Sequence, residues 1–164
     1  MIIRNATYND LSDILKIYQD ARQFMSESGN PNQWGKANPP RERTEADIAE
    51  SSLFVVESNG DILAVFFYRY GNDPTYNKIY AGDWINNKPY GVIHRIAVSS
   101  KARGKGIASV CFDFALKQSG NLKIDTHKDN LPMQRSLAKF GFTKCGIIHL
   151  ANGDERIAYQ ISEE

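Results

Sequence analysis

The stretch that most constrains the fold is residues 92–108, which read VIHRIAVSSKARGKGIA. An apolar run ends at Val98, two glycines follow, and apolar residues then recur from Ile107 at the spacing of a helix. The pattern predicts a strand that leads through a loop into a helix. Gly104 and Gly106 allow successive backbone N–H groups to converge, because no Cβ obstructs the turn. Together with the unpaired N–H groups of a helix start, they predict an anion site suited to a pyrophosphate.

This glycine loop has three other interpretations. The first is a basic helix start that binds no ligand. The second, a Walker-type phosphate loop, requires Gly-Lys-Ser/Thr, and here Lys105 is followed by Gly106. The third, a dinucleotide fingerprint, fits better, because Asp125 ends the next predicted strand where a ribose-binding acid would lie. Its third glycine position is Ser109, however, and the connection from strand to glycine is too long for that tight turn.

The rest of the chain alternates between helical and strand patterns and has no internal repeat. Helices are predicted at about 11–28 behind a capping box from Thr7 to Asp10, from Thr44, from Ile107, and from the N-cap Asn130 to Gly141. Strands are predicted at 2–5, 53–58, 61–70, 90–98, 122–126, 143–150 and 155–161, with a weak signal near Ile79. This order predicts an α/β (α+β) fold in one domain over residues 1–164. Its single sheet should be mixed and mostly antiparallel, with about seven strands flanked by about four helices.

Composition and charge exclude several classes of protein. The formal net charge is +1, which argues against a general nucleic-acid binder. No apolar run is long enough to cross a bilayer and the first residues do not resemble a targeting segment, so we expect a cytoplasmic protein with no membrane partner. Cys111 and Cys145 are expected to be reduced, although the sequence leaves a disulfide open. The three histidines lack metal-ligand spacing, so no metal is expected.

Two motifs give this chain a resemblance to the GNAT superfamily of N-acetyltransferases. The main motif of that superfamily, Arg/Gln-x-x-Gly-x-Gly/Ala, is matched at every fixed position by residues 103–108. A second motif is an Asn that opens a helix ending in Gly-Phe, which corresponds here to Asn130 and to Gly141 with Phe142. Both motifs occur in the expected order, and the element order of the whole chain agrees with them. The resemblance implies the GNAT fold and acetyl-CoA as cofactor.

The resemblance also implies which residues bind the cofactor. Loop N–H groups would hold the pyrophosphate of CoA, and the preceding strand would pair with the pantetheine arm. The N–H of Ile96 would polarise the thioester carbonyl, an oxyanion-type role. Asn130 would contact the CoA arm as well as cap its helix. The implied cofactor-binding residues are Ile96, Ala97, Val98, Arg103, Gly104, Lys105, Gly106, Ile107, Ala108, Asn130 and Met133.

The acceptor amine must lose a proton before it attacks the thioester, because an alkyl ammonium has a pKa near ~10. His94 is the candidate base. It lies two residues before Ile96 on the predicted strand, so the two side chains should share a sheet face. Arylalkylamine N-acetyltransferases, a branch of the superfamily, carry a catalytic histidine at this strand position. The alternative is a histidine that is simply satisfied on a polar sheet face. The tyrosine acid of many GNAT enzymes has no counterpart, because Leu137 stands at its position.

The acceptor pocket is the least constrained part of the site. Candidate contacts are Trp34, in a long proline-containing loop, and Tyr68 and Trp84, since aromatic faces suit a flat or cationic amine. Ordinary core packing is the alternative for most of them. Glu57 and Asp83 are candidate carboxylates for a cationic substrate. The expected activity is acetyl transfer from acetyl-CoA to a primary amine of a small molecule or peptide. A CoA-binding sensor with little catalysis is the alternative, and a homodimer stays open.

Overall fold

The strands and helices of the computed structural model, which describes residues 1–163, follow the predicted order. The strands are β1 (Ile2–Asn5), β2 (Leu53–Ser58), β3 (Asp61–Tyr70), β4 (Gly91–Val98), β5 (Asn121–Thr126), β6 (Thr143–His149) and β7 (Glu155–Ser162). The helices are α1 (Leu11–Glu27), α2 (Arg41–Ala49), α3 (Ile107–Ser119) and α4 (Leu131–Phe140). Short 3-10 turns lie at Tyr8–Asp10, Pro74–Tyr76 and Ser100–Ala102.

The described strands form one sheet of seven in the order β1-β2-β3-β4-β5-β7-β6. Strands β1, β2 and β3 pair antiparallel in sequence, and β7 pairs antiparallel with both β5 and β6. Strands β4 and β5 are parallel, with Gly91 opposite Leu122 and Val92 opposite Lys123. The predicted mixed, mostly antiparallel sheet with four helices is therefore confirmed.

Contacts between residues divide the described chain into two compact units. The first unit contains Met1–Tyr68 and His94–Cys111. Its helix α1 begins behind the predicted capping box, in which the Asp10 carboxylate accepts a hydrogen bond from the Thr7 N–H at 2.8 Å. Apolar side chains of α1 and of the central strands form its buried core; they include Ile14, Tyr18, Leu53, Val55 and Val65. The apolar runs of the strands and the period-3.6 pattern of α1 thus lead to the predicted elements.

The second unit contains, among the described residues, Arg69–Ile93 and 112–163. Phe112, Phe140 and Phe142 pack together in its core, with ring centroids 5.3–5.8 Å apart. The long connection before β4 is anchored on β6, because Tyr80 and Ile147 exchange two backbone hydrogen bonds of 2.8 Å. The weak strand signal near Ile79 corresponds to this single bridge and not to a strand.

Helix α2 begins three residues before the predicted start, so the prediction that Thr44 opens it is wrong. Pro40 has extended backbone angles, and its carbonyl accepts hydrogen bonds from the N–H groups of Arg43 and Thr44 at 3.0 and 3.2 Å. The first turn therefore closes on Pro40. Thr44 lies inside the helix, where its hydroxyl is buried and has no hydrogen-bond partner among the described residues.

Candidate active site

The loop between β4 and α3 has a fixed first half and an open second half. Ser99 begins the fixed half: its side-chain oxygen accepts from the Lys101 N–H at 3.3 Å and its carbonyl from the Ala102 N–H at 2.9 Å. Gly104 and Gly106 follow with φ of +76° and +74°, the left-handed region that favours glycine. A Cβ built on either glycine would meet no atom within 4 Å. The open half therefore offers room for a pyrophosphate in front of the unpaired N–H groups at the start of α3.

The Arg103 side chain is directed at α1. Its Nη2 donates to the Asp20 carbonyl at 3.3 Å, and its guanidinium lies 4.3 Å from the centroid of the Phe24 ring. These contacts leave the backbone N–H of Arg103 as its predicted contribution to the phosphate loop. Lys105, in contrast, is exposed next to the glycines.

One edge of β4 is open in its second half. Strand β5 pairs with β4 at Gly91 and Val92, and among the described residues no strand pairing continues along that edge. From Arg95 to Val98 the backbone amide groups on that edge lie beyond the register in which β4 pairs with β5. An extended chain with its own amide groups could add there as another strand does. This is the property that the predicted pantetheine contacts of Ile96, Ala97 and Val98 require.

The backbone of β4 is irregular at Arg95, which has a φ of +50° although it is not glycine. The Arg95 carbonyl accepts a hydrogen bond of 2.8 Å from the hydroxyl of Tyr18 in α1. Its guanidinium donates to the Asp47 carboxylate in α2, at 2.8 Å from Nε and 3.1 Å from Nη2. It also lies 4.5 Å from the centroid of the Phe67 ring. Contacts to three other elements thus hold this one residue in an uncommon conformation.

His94 lies beside this irregularity, with its ring 5.8 Å from the Phe67 ring. Because Arg95 also contacts Phe67, the strict alternation of side chains is interrupted here. The alternation that would place His94 and Ile96 on one sheet face is therefore not kept in the folded strand. The role of His94 as a base stays a prediction that rests on its place next to the open edge.

Two of the predicted acceptor contacts lie in the first unit. The Trp34 ring packs edge-on against Tyr18, with centroids 5.6 Å apart. Tyr68 is 9 % exposed and packs edge-on against Phe54 at 6.2 Å. Glu57, a candidate carboxylate, is paired with Arg4 at 2.8 Å. These contacts give each residue a packing role, and acceptor binding by Trp34 and Tyr68 stays a prediction.

The third predicted acceptor contact, Trp84, belongs to the second unit. Its indole N–H donates to the Tyr76 carbonyl at 3.0 Å. The Lys123 ammonium lies 4.1 Å from the Trp84 ring centroid and 4.0 Å from that of Tyr90. Burial lowers the pKa of this lysine to about 8. A cation and the Tyr76 ring, whose centroid lies 5.4 Å from that of Trp84, therefore both pack against the indole, and acceptor binding by Trp84 stays a prediction.

Asn130 caps α4 as predicted. Its side-chain oxygen accepts a hydrogen bond from the Met133 N–H at 3.1 Å, and Gly141 ends the helix with a φ of +114°. Leu137 lies between them and is fully buried. Contacts of Asn130 and Met133 with CoA stay predictions beside this capping role.

The first unit also has a groove of about 660 Å³ between α1, the following loop and the start of α2. Its lining includes Leu11, Leu15, Arg22, Pro39 and Arg41, and none of the predicted site residues.

In the described part of the chain, no three His, Cys, Asp or Glu side chains are grouped to hold a metal. Over the same residues, no helix is long and apolar enough to cross a membrane.

The glycine loop and the open strand edge agree with what the sequence matches among known proteins. The profile of the Acetyltransferase (GNAT) family matches residues 12–142, which include both. The chain belongs to the GNAT acetyltransferase family. Transfer of an acetyl group from acetyl-CoA is general to this family, so the protein is an acetyltransferase. The dinucleotide interpretation of Gly104 and Gly106 is thereby set aside.

Solved structures place this GNAT chain among similar enzymes. A GNAT-family acetyltransferase from Streptococcus agalactiae is 30% identical, with a TM-score of 0.91 over 99% of this chain and 95% of that one. The ribosomal-protein-alanine N-acetyltransferase of Brucella melitensis shares the fold at 19% identity and a TM-score of 0.68, over 99% of each chain. A Salmonella typhimurium protein, solved with its cofactor acetyl-CoA, also shares the fold. It is 15% identical, with a TM-score of 0.65 over 99% of this chain and 94% of that one. No curated protein matches the sequence.

Sequence reasoning missed the residues that surround Arg95 in this GNAT fold. The sequence patterns place Tyr18 and Asp47 inside predicted helices and give neither residue a role in the site. Their separation from Arg95, by 77 and 48 positions, leaves no local pattern that joins them. One signal was available: an arginine inside an apolar strand requires a partner for its charge.

Proposed function

We propose that this GNAT enzyme transfers the acetyl group of acetyl-CoA to a primary amine, of a small molecule or a peptide, by direct attack on the thioester. The observation that supports it most is the continuity of two backbone features in the first unit. The edge of β4 from Arg95 to Val98 lies beyond the register in which β4 pairs with β5. It leads into a loop whose two left-handed glycines face open space. The pantetheine arm of CoA, which is extended and ends in a pyrophosphate, fits a strand edge that is followed by such a loop.

The chain's own backbone supplies the cofactor contacts in this proposal. The N–H groups of residues 103–108 bind the pyrophosphate, and the open edge at Ile96 and Val98 pairs with the pantetheine amides. Neither contact depends on a side chain, which agrees with the engagement of Arg103 with α1. Acetyl-CoA, when bound, supplies the acetyl group as a thioester that an amine can attack without a further cofactor.

Two groups of β4 act on the reacting atoms in this proposal. The N–H of Ile96 donates toward the thioester carbonyl oxygen, where negative charge develops. His94 accepts the proton that the acceptor ammonium must lose, directly or through water. The amine nitrogen then bonds to the acetyl carbon as the C–S bond breaks. Leu137 is fully buried and offers no acid, but a thiol with a pKa of about 8.5 can leave without full protonation.

Thiol release from acetyl-CoA in the presence of amine panels tests this proposal. The panel contains polyamines, amino acids and peptides with free N-termini, and mass spectrometry identifies the acetylated product. Cys111 and Cys145 are both free and buried, so the folded protein should contribute little background to a thiol reagent. Gly106→Val serves as the control with an obstructed phosphate loop. Cofactor binding without thiol release for any amine would refute the proposal and favour a CoA-binding sensor.

We also propose that the protein is located in the cytoplasm. Its support is that Cys111 and Cys145 are not joined in a disulfide, as in a reducing compartment. Fractionation of the source cells, with blotting for the protein, checks this expectation.

A further inference from the structure

Arg95 is the residue whose backbone conformation departs furthest from what its strand predicts. A φ of +50° is sparsely populated for residues other than glycine, asparagine and aspartate. Such a conformation persists only where surrounding contacts hold it, and residues of this kind cluster at functional sites. Arg95 directly precedes Ile96, whose N–H is the proposed donor to the thioester carbonyl.

Two buried side chains hold Arg95 from two different helices. Tyr18 of α1 is 1 % exposed and donates its hydroxyl proton to the Arg95 carbonyl oxygen at 2.8 Å. Asp47 of α2 is also 1 % exposed and receives two hydrogen bonds from the guanidinium. Burial raises the pKa of Tyr18 well above its usual value, so its hydroxyl remains a donor over the whole pH range of an assay.

The Tyr18 contact determines the direction of the Ile96 N–H through the planarity of the peptide bond. The carbonyl of Arg95 and the N–H of Ile96 belong to one rigid unit and point in opposite directions when the bond is trans. A hydrogen bond that fixes the carbonyl therefore also fixes the N–H. The ion pair with Asp47 prevents the strand from relaxing to an ordinary extended conformation at this residue.

We propose that Tyr18, Asp47 and Arg95 are positioning residues that hold the Arg95–Ile96 peptide plane so that the Ile96 N–H points at the acetyl carbonyl. This proposal rests on the proposed acetyl transfer. A preorganised donor stabilises charge that develops during the reaction, because it does not have to reorient. Loosening the plane should therefore reduce turnover without reducing affinity for the CoA arm, which other backbone groups bind.

Tyr18→Phe tests the proposal, because it removes the hydroxyl and keeps the ring that packs against Trp34. We expect kcat to fall by roughly 10- to 100-fold, as for a small misplacement of a catalytic group. KM for acetyl-CoA should stay within about threefold, and the unfolding midpoint should change little because the ring is kept. Arg43→Ala is the matched control: Arg43 also lies against Asp47, at 3.3 Å, but does not belong to β4. Its kcat should equal that of the wild type.

The amide proton of Ile96 gives a second readout that does not depend on turnover. In the wild type, its NMR shift should differ between the CoA and acetyl-CoA complexes, because only acetyl-CoA carries the carbonyl acceptor. Tyr18→Phe should reduce this difference, and Arg43→Ala should leave it unchanged. If Tyr18→Phe does not fold, Arg95→Lys carries the same test, because lysine keeps the charge but loses the planar fork.

Several results would overturn the positioning role. They are wild-type kcat in Tyr18→Phe, a loss of acetyl-CoA affinity that accounts for the whole rate change, or an unaltered Ile96 shift difference. An absence of acetyl transfer by the wild type with every amine would instead contradict the proposed function. The Ile96 shift would still decide whether Tyr18 aligns the peptide plane.

Discussion

Replacing Gly106 by alanine or valine separates the cofactor role of the loop from its role in folding. Gly106 has a φ of +74°, and a Cβ built there would meet no protein atom within 4 Å. The folded chain thus has room for a side chain, and the cost to folding arises from the backbone conformation alone. If the pyrophosphate of acetyl-CoA lies against this backbone, the new side chain occupies its place.

The two effects should differ in size. A residue with a Cβ in the left-handed region costs about 1–2 kcal/mol, and alanine offsets about 0.4–1 kcal/mol of that by restricting the unfolded chain. For a chain of this size, 1 kcal/mol shifts Tm by about 2–4 °C, so Gly106→Ala should lower Tm by no more than about 6 °C. Loss of one hydrogen bond to a charged phosphate costs about 1.5–3 kcal/mol, or roughly a tenfold to hundredfold loss of acetyl-CoA affinity. Valine should show the larger losses, because it is β-branched.

Calorimetric titration with acetyl-CoA and thermal unfolding without ligand measure both quantities on the same proteins. Gly153→Ala is the matched control, because Gly153 has a φ of +91° in the turn between β6 and β7 and the same open space around its Cβ. It should lose a similar amount of stability and keep wild-type affinity. The reasoning is refuted if folded Gly106→Val binds acetyl-CoA as the wild type does, or if Gly153→Ala loses as much affinity.

The remaining predictions concern the cofactor, the base and a buried lysine. Acetyl-CoA at a hundredfold excess over Kd should stabilise the fold by about 2.7 kcal/mol in a thermal shift assay, and a shift with NAD alone would contradict this. His94→Ala should lower turnover about 10²-fold or more at unchanged acetyl-CoA affinity, and it should remove the acidic limb of the pH–rate profile. Wild-type turnover in this variant would exclude His94 as the general base. Burial lowers the pKa of Lys123 to about 8, against about 10.4 when unfolded, so between these values the unfolded chain binds more protons. The wild type should therefore gain stability relative to Lys123→Met as pH rises from 8 to 10, and parallel melting curves at both pH values check the direction.

The elements with strong local patterns were predictable from the sequence. The hairpin of β2 and β3 has its predicted bounds because a continuous apolar run stands on each side of the turn Asn59-Gly60. Helix α4 has its predicted cap because the Asn130 side chain accepts a hydrogen bond from its first turn. It has its predicted end because Gly141 adopts the left-handed backbone conformation. In each case, residues within a few positions determine the structure, and sequence reasoning sees those residues.

Predictions failed where a distant partner or a missing signal decided the structure. The start of α2 is set by the carbonyl of Pro40, which a search for a polar N-cap does not find. The bridge at Tyr80 depends on Ile147, which lies 67 positions away. In the site, the glycine loop was predictable because its conformation is a property of glycine itself. The packing of Trp34 on Tyr18 and of Lys123 on Trp84 joins distant positions and left no trace in local spacing.

Arg95 shows how tertiary contacts can override both local propensity and strand periodicity. Its left-handed backbone costs about 1–2 kcal/mol in an L residue. Hydrogen bonds to charged groups contribute about 1.5–3 kcal/mol each, and the guanidinium makes two of them with a carboxylate that would otherwise be buried without this partner. The ion pair with Asp47 therefore offsets the strain in φ of Arg95, whereas the Tyr18 bond to the Arg95 carbonyl restrains ψ, the angle that sets the plane of the next peptide. For this reason Tyr18→Phe should free the orientation of the Arg95–Ile96 peptide while β4 keeps its irregular path, whereas removing Asp47 should release both.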